Sequence, residues 1–144
     1  MARLPRSALP ESGIYHVTAR GVDRSPIFHD DVDRLRFVRL VRTVAGRDAV
    51  VVHAYCLMTN HFHAVVEASL AQISRAFHSI NGVHAQRFNR RYGRTGHLFQ
   101  DRFHAKVIGD EEHLAHACSY TWNNPVRAGL CDAAEQWPWN GRVV

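Results

Sequence analysis

The chain has 144 residues, 46% of them hydrophobic and 22% charged, which fits a single globular domain and argues against disorder. No apolar run is long enough for a bilayer crossing, and residues 1–11 lack the apolar core of a signal peptide. Cys56, Cys118 and Cys131 never fall at C-x-x-C spacing, which speaks against a disulfide framework or a zinc finger and for a cytoplasmic protein. The net charge is +5, and 17 of the 18 basic residues are arginine, whose planar fork suits phosphate.

Residues 1–12 read as a loose arm and residues 13–144 as one domain. Ile14 to Arg20 alternates, with Tyr15, Val17 and Ala19 on one face and His16, Thr18 and Arg20 on the other, which predicts a strand. After a loop, Asp30 caps a predicted helix to about Ala45, with Leu35, Val38, Val41 and Val44 inward and Gly46 as its stop. Ala49 to Met58 reads as a buried strand, Thr59-Asn60 as a tight turn, and His61 to Glu67 as the antiparallel return. Ser69 and Gln72 form a capping box for a helix to about Arg91. Its inward residues are Leu70, Ile73, Phe77, Ile80, His84 and Phe88, and Gly93 stops it. Arg102 to Ile108 is the fourth predicted strand, and Asp110 caps a last helix that ends at Asn123-Asn124-Pro125. Trp137-Pro138-Trp139 reads as an apolar anchor.

The order β-α-β-β-α-β-α predicts an α+β fold, a ferredoxin-like βαββαβ antiparallel sheet with an added C-terminal helix. Between Ser69 and Gly109, Arg75, Arg87, Arg90, Arg91, Arg94, Arg102 and Lys106 face Asp101 alone, an excess greater than that of the whole chain. Such a stripe is either a nucleic-acid footprint or a solvated helix face.

Two constellations could carry chemistry. His61 and His63, two apart on a strand, point to one face with Val65 and Glu67 further along, and neutral imidazoles at that spacing can share a divalent metal. The competing reading has one histidine bonded within the sheet and the other exposed. On the last helix His113, His116, Tyr120 and Asn124 form a polar stripe, opposite a packing side of Leu114, Ala117, Cys118 and Thr121.

Four segments then carry a family resemblance: Tyr15-His-Val-Thr-Ala-Arg-Gly21, Tyr55-Cys-Leu-Met-Thr-Asn-His-Phe-His63, Gly93-Arg-Thr-Gly-His-Leu-Phe-Gln100 and Asn124-Pro-Val-Arg-Ala-Gly-Leu130. Together they resemble the single-tyrosine HUH transposases, most closely the REP-associated tyrosine transposase branch, from about Gly13 to Trp139. The resemblance implies a domain that cuts and rejoins single-stranded DNA beside a hairpin through a 5′-phosphotyrosine. It implies a nucleophile at Tyr120 and a divalent metal, Mg²⁺ or Mn²⁺, on His61, His63 and Asn124. Asp101, His104 and Trp122 depart from the residues common in relatives, which are Gly, Lys and His. The phenol proton would pass to His116 or to water on the metal, and Glu67 is a further possible ligand.

On this reading Arg87, Arg90, Arg91, Arg94 and Arg102 follow the phosphates of hairpin DNA, with Arg20 and Arg127 as secondary contacts. His97 and Phe99 could stack on an unpaired base, Phe99 also serving as a core plug. The expected state is a nucleoid-associated monomer in preference to a homodimer. Two other functions fit parts of the pattern: a DNA or RNA hairpin binder that cuts nothing, and a metal phosphodiesterase in which water attacks.

Overall fold

The structure is a computed structural model that describes residues 12–109 and 111–143. The arm expected over residues 1–12 and the Asp110 cap therefore lie outside the described residues, apart from Ser12, which opens the first strand.

Alternation in Ser12–Arg20 forms strand β1, whose odd-numbered Tyr15, Val17 and Ala19 are buried. Helix α1 spans Asp31–Asp48, and the Asp30 side chain accepts from the Asp33 amide as its N-cap. Strands β2 (Val51–Leu57) and β3 (His61–Ser69) form a hairpin closed by a bond from the Met58 amide to the His61 carbonyl. Helix α2, Leu70–Tyr92, starts with the Ser69–Gln72 capping box and stops at Gly93, which takes the left-handed conformation at φ 62°. Strand β4 (His104–Ile108), helix α3 (Glu111–Trp122), the short helix α4 (Asn124–Arg127) and strand β5 (Asn140–Val143) complete the order.

The strands form one antiparallel sheet in the order β4-β1-β3-β2-β5, so the ferredoxin-like order is present with an extra edge strand. Period-two alternation divides the sheet into two faces. One packs Tyr15, Val17, Val52, Phe62 and Val66 against Phe37 and Val41 of α1 and Ile73, Phe77 and Ile80 of α2. The other packs Ile14, Ala54, Val65 and Ile108 against Leu114, Ala117, Cys118 and Trp122 of α3. This second cluster is much smaller, so α3 is held by less apolar burial than α1 and α2.

Three sequence expectations need correction. Helix α1 runs through Gly46 to Asp48, because buried Asp48 is gripped by Arg47 and Arg75 and its carbonyl accepts from Gln72. Phe37 takes the inward position, while Leu35 lies on the outer face at 43% exposure. The polar stripe on α3 is interrupted after Trp122, so Asn124 opens α4 instead of continuing the Tyr120 helix.

Strand β5 was not foreseen, since Asn-Gly-Arg-Val has no alternating pattern. Tertiary bonds hold it: Trp122 Nε1 donates to the Gly141 carbonyl, and Asn140 Nδ2 donates to the carbonyls of Trp122 and Ala134. Trp137 anchors the preceding segment by donating to the Leu57 carbonyl. At Gly141 a Cβ would stand 2.5 Å from the Tyr55 hydroxyl, so only glycine fits there.

Candidate metal centre and nucleic-acid interface

Strand alternation sends His61 and His63 to the α3 face of the sheet, with ring centroids 4.9 Å apart and planes at 83°. Each ring has one nitrogen already engaged. His61 Nδ1 donates to Asn60 Oδ1 at 2.6 Å, and Asn60 in turn donates through Nδ2 to the Arg24 carbonyl at 3.2 Å. That second bond orients the carboxamide and makes the His61 proton sit on Nδ1, leaving Nε2 with its lone pair. Arg24 itself and the preceding Asp23 have φ of 58° and 51°, a left-handed pair in the loop that presents this carbonyl.

His63 Nδ1 lies 3.0 Å from His16 Nε2, with the two rings stacked across the β1–β3 pair. When His63 Nδ1–H is the donor, its Nε2 is likewise left for a ligand. Burial first, then the charges of His16, His61 and Arg127, push His63 down to about 3. Burial and then Arg20 lower His61, while burial and then Lys106 lower His16. All three are therefore neutral imidazoles near pH 7, the protonation state that a metal requires.

His61 and His63 open into a cavity of about 610 Å³, lined also by Arg20, Arg24, Gln100, Asp101, Arg102 and His104. Arg20 reaches it from the end of β1, and its guanidinium donates to Gln100 Oε1. Next to Arg20, Gly21 bridges to Phe99, and Gly21 must be glycine because a Cβ would collide with the Ser25 carbonyl oxygen.

His16, Arg24, Asn60 and His104 were not singled out from sequence as parts of this site. For His16 the signal was present, because it shares a strand face with Thr18 and Arg20. Asn60 and Arg24 become recognisable only when the turn and loop meet in three dimensions. Glu67 does not join the histidines; it pairs with His53 at 2.8 Å. Phe99 packs against the main core, as a plug would.

Tyr120 sits on α3 at 48% exposure, and Arg127 stacks on its ring with the guanidinium carbon 3.7 Å from the centroid. Arg127 also donates to the Tyr120 carbonyl at 2.8 Å. Asn124 buries its amide nitrogen without a partner among the described residues. Neither Tyr120 nor Asn124 lines the histidine cavity, although the Arg127 charge is felt at His63 across the gap. His113 and His116 are exposed on α3.

Among the described residues no group of three His, Cys, Asp or Glu side chains is arranged to hold a metal ion. Two imidazoles with free Nε2 atoms, complemented by a carboxamide or by ligand oxygens, nevertheless fit a divalent cation with open positions. The orphaned atom of Asn124 is its amide nitrogen, a donor that cannot ligate a cation and that would instead meet an acceptor such as a phosphate oxygen.

The basic residues do not form one stripe. Arg20 and Arg102 edge the histidine cavity, whereas Arg87, Arg90 and Arg91 lie on the α1–α2 layer across the sheet. Arg91 is bound to Asp30 and Asp33 at 2.7 and 2.6 Å, a fold-holding role in place of the expected free phosphate contact. Arg94 donates to Asn89 Oδ1 and lies over the Phe88 ring. Among the described residues no helix is long and apolar enough to cross a membrane.

Comparison with known proteins places this geometry. The fold is similar to that of a REP-associated tyrosine transposase solved bound to a REP hairpin, with TM-score 0.74, 20% identity, and coverage of 97% of this chain and 82% of that one. It is also similar to a candidate transposase from Deinococcus radiodurans R1, with TM-score 0.53, 16% identity, and coverage of 85% and 97%. No curated protein matches the chain. The sequence itself matches the IS200-like transposase family over residues 11–124, which takes in the histidine strand and runs to Asn124, and the chain belongs to that family.

Proposed function

We propose that this transposase cuts and rejoins one DNA strand beside a hairpin, using Tyr120 as nucleophile and a divalent cation, Mg²⁺ or Mn²⁺, held by His61, His63 and Asn124. The observation that carries the reading is the neutral imidazole pair, each Nδ1 engaged, at a cavity edged by Arg20 and Arg102. When bound, the cation would neutralise a non-bridging oxygen of the scissile phosphate. Two imidazoles and a carboxamide carry no charge, so binding should tighten once the phosphate joins the ligand set.

Arg20 and Arg102 would hold the flanking phosphates and set the strand's register. Tyr120 attacks phosphorus, the P–O3′ bond breaks, and the leaving oxygen takes a proton to become a free 3′-hydroxyl. The protein then carries the downstream strand on its phenol oxygen as a 5′-phosphate ester. An ordinary phenol ionises at about pH 10, so its proton must leave during attack, to His116 one turn earlier on α3 or to water. A second 3′-hydroxyl reverses the step and joins strands without an outside energy source. The hairpin named for the similar solved transposase supports a hairpin-bearing DNA partner here.

One observation favours a second reading. Tyr120 does not line the histidine cavity, and attack by water would leave that tyrosine structural.

The test is strand cleavage. Wild-type protein with Mn²⁺ should nick a labelled single-stranded hairpin oligonucleotide taken from the DNA flanking the gene. His61→Gln and His63→Gln should abolish nicking while hairpin binding persists. Nicking that survives in both variants, or that needs no cation, would overturn the proposal.

A further inference from the structure

Across the sheet from the histidines, α1 and α2 enclose a shallow groove of about 740 Å³ lined by Arg36, Arg39, Arg87, Arg90 and Arg91, with Leu40 and Thr43 between them. Arg36 and Arg39 lie one turn apart on α1, and Arg87 and Arg90 one turn apart on α2, so two rows of guanidinium groups face the same space. All four are exposed, and among the described residues none has a carboxylate partner. Asp33 on α1 is buried, and its oxygens are taken by Arg91, the Tyr92 hydroxyl and the His29 amide. Asp30 is likewise held by Arg91.

Four like charges converging without counter-charge repel one another unless an anion joins them. We propose that this outer α1–α2 face is a second binding surface, for the phosphodiester backbone of duplex DNA, separate from the histidine cavity. The groove has no aromatic lining on which an unpaired base could stack, which favours a backbone over splayed single-stranded bases. The exposed apolar side chains of α1, Val32 and Leu35, do not line it. One chain could then hold two DNA segments, one on each face of its sheet. The inference rests on the reading of this chain as a DNA-acting protein and extends it to a face that the cleavage chemistry does not use.

The experiment is fluorescence anisotropy with a short blunt duplex, titrated over a range of KCl concentrations. Removing four phosphate contacts in R36Q/R39Q/R87Q/R90Q should lower the salt dependence, the slope of log K against log salt, by about 3 to 4. The matching lysine variant, R36K/R39K/R87K/R90K, should restore it, which separates loss of charge from loss of fold. Sedimentation with excess duplex should give one duplex per wild-type chain and none per glutamine variant. An unchanged slope, duplex retained by the glutamine variant, or binding to phosphatidylserine vesicles in place of duplex would overturn the proposal. Hairpin nicking reads only the histidine face, so failure of that assay and failure of this one are distinguishable.

Discussion

Replacing His63 with glutamine should flatten the acid side of the stability profile. Burial first, and then the charges that His16 and His61 take up as the pH falls and that Arg127 always carries, hold His63 at about 3, against 6.5 for a free imidazole. The unfolded chain therefore binds a proton that the folded chain refuses, over the window from pH 6.5 down to about 3. Stability is complete above that window and falls as the pH is lowered through it. Each pKa unit is worth about 1.4 kcal/mol, so His63 alone should remove about 2 kcal/mol between pH 7 and pH 5. His16 and His61, also lowered by burial, add to the wild-type loss but remain in the variant. The assay is urea unfolding of chelator-treated protein, followed by tryptophan fluorescence at both pH values. Wild type should lose about 2 kcal/mol more than His63→Gln over that interval. Equal losses would refute the claim that His63 is held neutral, and with it the readiness of this ring for a cation.

Further outcomes follow from named contacts. Asn60→Ala frees the His61 ring and should weaken Mn²⁺ binding roughly 10-fold by calorimetry with the fold intact, whereas Asn60→Asp, which keeps the acceptor, should retain most of it. Arg91→Ala leaves Asp33, 4% exposed, without its counter-ion, and should lower the midpoint of chemical denaturation. Gly141→Ala drives a methyl group against the Tyr55 ring; a cost of about 1–3 kcal/mol and faster amide exchange in β5 are expected.

Much of the frame was legible because single-strand and single-helix patterns determine it. The capping box at Ser69 and Gln72, the alternation of β1 and the turn before His61 each have a local cause, and each stands where the pattern puts it. The end of α1 was misread at Gly46 because the grip on Asp48 comes from α2, a helix distant in sequence. Strand β5 escaped for a similar reason: its register depends on Trp122, Asn140 and the space beside Tyr55 rather than on any alternation.

The histidine pair could be read from its spacing and His16 from its shared strand face, whereas Asn60 could not, because its role depends on the turn meeting the Arg24 loop in three dimensions. The basic stripe misled in one respect. Counting charges along α2 and β4 merged residues that the sheet separates, placing Arg102 with the histidines and Arg87 and Arg90 behind them.

The central claim is that a tyrosine, not water, attacks the phosphorus. Two hairpin strands, one labelled at its 3′ end and one at its 5′ end, should be incubated with protein and Mn²⁺ and resolved on denaturing protein gels. The account requires label to stay on the protein only from the 3′-labelled strand, with none on Tyr120→Phe, and peptide mapping should place it at Tyr120. Nicking by both proteins without any labelled adduct would contradict the account and assign the chemistry to hydrolysis.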